Sequence, residues 1–160
     1  MSSTIRQIVE SIAETLNDHA FFRTVPKIPV LVEDGKDIET SIMTAMKSAG
    51  AFCLVHFEGG ETDSVDTPGP YLSESTFKVT VSEIPSVWRS RSGNTPSSTE
   101  IAEAVSRILH HTQPLDKDDA PLSGGVMIFS GLESQTNESM LQKVITFTIP
   151  VGLSTDEPTR

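Results

Sequence analysis

His56 and Glu58 lie two positions apart on a predicted strand, so their side chains share one face. His110 and His111 follow later in the chain. Two imidazoles and a carboxylate form a donor set that zinc accepts. The spacing matches no metal-binding motif, however, and adjacent histidines at a helix end are ordinarily solvated. Cys53 is the single cysteine and a nucleophile by type, with His56 three positions on. Residues three apart on a strand face opposite ways, so the two cannot pair locally, and a buried, inert thiol is the expectation. No Gly-x-Ser-x-Gly elbow occurs, and neither Gly59-Gly60 nor Gly124-Gly125 belongs to a phosphate-binding loop. The carboxylates between Glu58 and Asp66 lack the spacing of a calcium loop. These residues predict no enzyme, no metal and no cofactor.

One cluster has another use. Trp88-Arg89-Ser90-Arg91 puts an aromatic ring and two guanidiniums in a predicted loop of an otherwise acidic chain. Trp and Arg are the residue types that dominate interface hot spots. The polar loop 59–69 carries Glu61, Asp63 and Asp66 and is complementary in charge. Trp88, Arg89, Arg91, Glu61, Asp63 and Asp66 are therefore the candidate interface residues, meeting head to tail between identical subunits. A contact of that kind closes into a ring when the rotation allows. The competing reading has Trp88 packed on the core edge and the arginines paired with nearby carboxylates.

The elements that must position these residues are legible from periodicity. Ile5, Ile8, Val9, Ile12 and Leu16 make one apolar stripe on a helix over 4–18. Phe21-Phe22 covers an edge of the core, and Val30-Leu31-Val32, preceded by Pro26 and Pro29, reads as a short edge strand. Asp37 can cap a second helix whose inner face is Ile38, Ile42, Ala45, Met46 and Ala49, with Gly50 ending it. The nearly continuous apolar run 51–57 predicts a central strand covered on both faces. In 73–83, Phe77, Val79 and Val81 alternate with Lys78, Thr80 and Ser82. Ser97 and Glu100 form a capping box for a helix with Ile101, Ala104, Val105 and Ile108 buried and His110-His111 in its last turn. A hairpin follows, with arms 125–133 and 140–151 and a turn at 134–139. The order α-β-α-β-β-α-β-β predicts an α+β fold: a mostly antiparallel sheet of four to five strands with helices packed on one face. Residues 1–153 form one domain in this reading, and 154–160 a disordered tail.

The chain has 160 residues, 36% of them hydrophobic, which is low for its size and suits burial shared with partner subunits. A formal charge of −10 disfavours nucleic acid and anionic membrane as partners. The lone cysteine gives no sign of an oxidising compartment, and the N-terminus has no signal-peptide pattern. No apolar run approaches transmembrane length.

The succession of an N-terminal amphipathic helix, strand 51–58, a polar loop and strand 71–83 leads to Arg-Ser-Arg-Ser-Gly. Ser-Thr-Glu-Ile-Ala-Glu-Ala-Val-Ser-Arg-Ile-Leu-His-His and a closing hairpin at 126–151 complete it. This order resembles the tail-completion or tail-terminator proteins of long-tailed bacteriophages. The resemblance implies an α+β subunit of a hexameric ring that caps the tail tube, stops its polymerisation and presents a surface to the head. It implies self-association, a tail-tube partner and a head-completion or neck partner. The place would be the head-proximal end of the virion tail, after assembly in the host cytoplasm, with no catalysis and no cofactor. The loop 112–123 and the prolines at 26 and 29 leave open another neck or minor tail component. The rivals outside that class are a small cytoplasmic α+β binding module and, last, an enzyme using His56, Glu58 or His110.

Overall fold

The computed structural model describes residues 3–63, 69–137 and 139–153. Helix α1 (Thr4–Asp18) is capped by the Ser3 hydroxyl and followed by a single helical turn, α2 (Ala20–Arg23). Strand β1 (Val30–Val32) leads into α3 (Ile38–Thr44), which continues as one π-helical turn over Ala45–Ala49. Strands β2 (Ala51–Glu61) and β3 (Tyr71–Glu83) follow, then a short helix α4 (Pro85–Trp88) and α5 (Ser98–Leu109). The chain closes with β4 (Ile128–Asn137) and β5 (Met140–Gly152).

The five strands form one sheet in the order β1-β2-β3-β5-β4. Only β1 and β2 are parallel, so they need the helical crossover through α3 that joins them. The α+β class and the mostly antiparallel sheet are those read from the sequence, and β1 is the edge strand that its prolines imply. Helix α1 packs over β1 and β2 and α5 over β3 and β5, side by side on one face. Ile8, Ile12 and Leu16 from α1 and Ile101, Val105 and Leu109 from α5 meet Cys53, Val55, Phe77, Val79, Val81, Ile145 and Phe147 in the core. Alternation is regular over Ser75–Val81 of β3 and Val144–Val151 of β5, where inward residues are buried and outward ones half-buried.

Register explains where burial stops. Phe57, Phe77, Phe147 and Phe129 stand in one cross-strand row, and Val55, Val79, Ile145 and Leu132 in another. The rows are buried at β3 and β5, beneath the helices. At β4 the sheet extends past α5, and Phe129 and Leu132 are 38% and 46% exposed.

Several local expectations change. The second helix is not capped by Asp37, whose left-handed φ of 59° keeps its carboxylate off the first turn. Of its five inner positions only Ala45 and Ala49 are buried, because the helix rides the short β1 edge. On α5 the buried stripe is rotated to Ile101, Ala102, Val105 and Leu109, leaving Ala104 and Ile108 half-buried. Strand β2 is covered on its core face, while Leu54 and His56 on the other face are half-buried. It runs on to Glu61 through a bulge at Phe57/Gly59, so the loop begins later than expected. The hairpin ladder persists to Asn137↔Met140, so 134–137 are strand rather than turn. The predicted disordered tail at 154–160 lies outside the described residues.

Candidate functional site

At the Trp88–Arg91 segment the structure follows the competing reading for Trp88 and Arg89. Ile84 breaks the strand, Pro85 starts α4 at its first position, and Trp88 turns inward. Its side chain is fully buried, and its indole N–H donates to the Pro96 carbonyl at 2.8 Å. Trp88 is thus a core residue with no surface to offer a partner, which corrects its assignment to an interface. The signal was present in the sequence: an indole flanked by Val87 and preceded by Pro85 suits a buried turn as well as a loop.

Glu83, which sequence reading passed over, organises this junction. Its carboxylate is wholly enclosed at the end of β3. It accepts Arg89 Nε at 2.7 Å, Arg89 Nη2 at 3.2 Å and the Ser98 backbone N–H at 2.9 Å. Burial alone pushes this carboxyl up, but the Arg89 guanidinium and the Ser98 N–H outweigh it and hold it below the ordinary carboxylate value. Ser98 opens α5, so the charge also sits at the positive end of that helix. The Ser97–Glu100 capping box forms as expected. At the start of β2, Gly50 adopts φ +85°, and a Cβ there would come within 2.6 Å of the Trp88 backbone nitrogen.

Arg89 is therefore engaged inside the molecule, although its side chain is half-exposed. Arg91 is exposed and donates to the Ser48 carbonyl at 2.5 Å. Glu61 and Asp63 are exposed at the opposite end of the β2–β3 ladder, and Asp66 lies outside the described residues.

The residues suited to catalysis stay apart. Burial pushes the Cys53 thiol far up, and it sits on the core face, away from His56. His56 contacts Thr80 Oγ1 at 3.3 Å and Glu58 at 3.7 Å, and Glu58 also meets Lys78 at 3.5 Å. His110 and His111 leave α5 as its C-cap and the residue beyond, rather than sitting in its last turn. Their rings stack at 3.9 Å, and His110 Nδ1 accepts the Phe129 N–H at 3.1 Å. His110 thus belongs to the β4 edge, three strand spacings or about 14 Å across the sheet from His56. Among the described residues no three potential ligands gather as a metal site would require. No described helix is long and apolar enough to cross a membrane.

What the surface offers instead is a shallow groove between α5 and β4, lined by Thr99, Glu103, Arg107, His110, Phe129 and Leu132. All of β4 except Gly131 is exposed, and among the described residues no strand lies beside its outer edge. The sequence showed β4 as a hairpin arm but carried no sign that the helices stop short of it.

No protein-family model matches the chain, and no curated protein matches it by sequence. Solved structures do match in fold. A chain from the virion of a native gene transfer agent particle superposes with a TM-score of 0.59 at 15% identity, covering 91% of this chain and 94% of that one. A second solved chain, which bears no descriptive name, gives 0.55 at 14% identity, covering 96% of each. At these identities the likeness establishes a shared fold over nearly the whole length of all three chains.

Proposed function

We propose that the chain is a structural protein of a phage-type virion, and more narrowly that it is a tail terminator. In this reading it assembles as a homomeric, hexameric ring on the last ring of tail-tube subunits. The ring ends tube growth and meets the head-completion or neck protein at the head-proximal end of the tail. The observation that carries the reading is the fold shared, end to end, with a chain of the gene transfer agent virion. The order of elements that resembles tail terminators in the sequence is the order found in the fold. The function needs no catalysis: one ring face complements the tube end, and the other lacks the surface that recruits a further tube subunit.

The test is growth of the cognate tail-tube protein with and without this chain. A terminator shortens the tubes in proportion to its concentration, and a labelled copy is found at one end only. Tubes of unchanged length with no end label would overturn the proposal. Binding to assembled particles without any effect on tube length would favour another neck or minor tail component.

A further inference from the structure

We infer that copies of this chain meet head to tail, the cationic surface of Lys27, Lys47 and Arg91 seating on Glu61, Asp63 and Glu74 of the next copy. The inference rests on the ring reading and names the surfaces that would build the ring. The β2–β3 ladder is its axis. Ala51 pairs with Glu83 at one end and Glu61 with Glu74 at the other, ten residues and about 33 Å apart.

Three segments distant in sequence converge at the Ala51 end. Arg91 reaches the Ser48 carbonyl, beside Lys47. Gly93 lies against Val25 and Pro26, where a Cβ would stand 3.2 Å from each, and Lys27 is the next residue. All three cations are exposed, and among the described residues none has a carboxylate partner. Glu83 and Glu100, the carboxylates whose fields reach Arg89, are held by Arg89 and by the α5 cap. This is a cationic surface on a chain with 12 basic and 22 acidic residues.

The far end has the opposite imbalance. Glu61 and Glu74 are directly opposite on neighbouring strands, both exposed, an arrangement that repels. Asp63 adds a third charge two residues on. The cation closest along this ladder, Lys78, is taken by Glu58. Among the described residues neither end is relieved within one molecule, and each is complementary to the other end of a second.

Geometry then selects the mode of contact. A two-fold pair through either end would set like charges face to face, which disfavours it. Basic end on acidic end is a heterologous contact, which closes into a ring where the rotation between copies allows and grows into an open filament where it does not.

The experiment uses light scattering on the full chain. One variant carries Lys27→Glu, Lys47→Glu and Arg91→Glu; the other carries Glu61→Lys, Asp63→Lys and Glu74→Lys. The wild-type chain is expected to associate, at least about tenfold more weakly at high salt than at low salt. Each variant alone should be monomeric where the wild type is not. An equal mixture should regain assembly, because an alternating ring pairs opposite charges at every contact. If a triple variant loses its thermal unfolding transition, Lys47→Glu and Glu61→Lys replace the sets. A wild-type chain that stays monomeric at every concentration overturns the inference, as does assembly that survives either reversal, or a mixture that stays monomeric. Rings that survive both reversals leave the tail-end reading standing. Rings that obey the charge rules but never shorten a tube remove that reading and leave this contact in place.

Discussion

The two ends of the β2–β3 ladder are built on opposite plans. At the Ala51–Glu83 end a charge is buried and fully answered: Glu83 receives three hydrogen bonds, Trp88 fills the space beneath, and Gly50 allows the backbones to touch. At the Glu61–Glu74 end two like charges face each other on exposed strand and nothing described answers them. The contrast separates residues that hold the fold from residues proposed for contact. Charge at the first end is structural, so removing it costs stability. Charge at the second end works against the monomer, so removing it should help.

The comparison breaks most visibly at Trp88. Truncation to Ala deletes the largest buried side chain, and we expect about 4 kcal/mol of lost stability by urea unfolding. A loss under about 1 kcal/mol would mean that the ring is not core. Gly50→Ala comes next: it forces a left-handed residue and brings its Cβ within 2.6 Å of backbone, for a loss of about 3 kcal/mol.

Glu83→Gln should cost about 2 kcal/mol, since it leaves Arg89 without its carboxylate. It also has a pH signature. The folded-state pKa of Glu83 lies below the ordinary 4.5, so its contribution is complete above that pH and lost as pH falls through the folded value. The wild type should therefore lose its advantage over the Gln variant on acidification below about pH 4.5. An advantage that grows with acid would contradict the assignment. The smallest effect has the opposite sign: Glu74→Thr removes a like-charge pair and favours strand, for a gain of about 0.5 kcal/mol. A loss of that size would place the two ends on the same footing.

Much of this fold was legible before any coordinates. The stripe from Ile5 to Leu16, the alternation through Phe77, Val79 and Val81, and the Ser97–Glu100 box each act over a few residues, and each is found. What escaped depends on the third dimension. Trp88 stood out as a contact residue because composition alone cannot distinguish an indole on the surface from one beneath a turn. Glu83 ends the inward row of Phe77, Val79 and Val81, and nothing local marks its role, because Arg89 and Ser98 become its neighbours only when α4 folds back. Phe129 and Leu132 are exposed because the sheet is wider than its helical cover, which the pattern of a hairpin arm does not report. Lys27, Lys47 and Arg91 are scattered in sequence, and no local signal joins them.

The most direct test is electron cryomicroscopy of the chain mixed with the tail tube proposed as its partner. The account predicts one ring at one end of the tube, with Lys47 and Arg91 of each copy facing Glu61 and Glu74 of the next. Copies distributed along the tube, or a ring whose subunits bring like ends together, would contradict it.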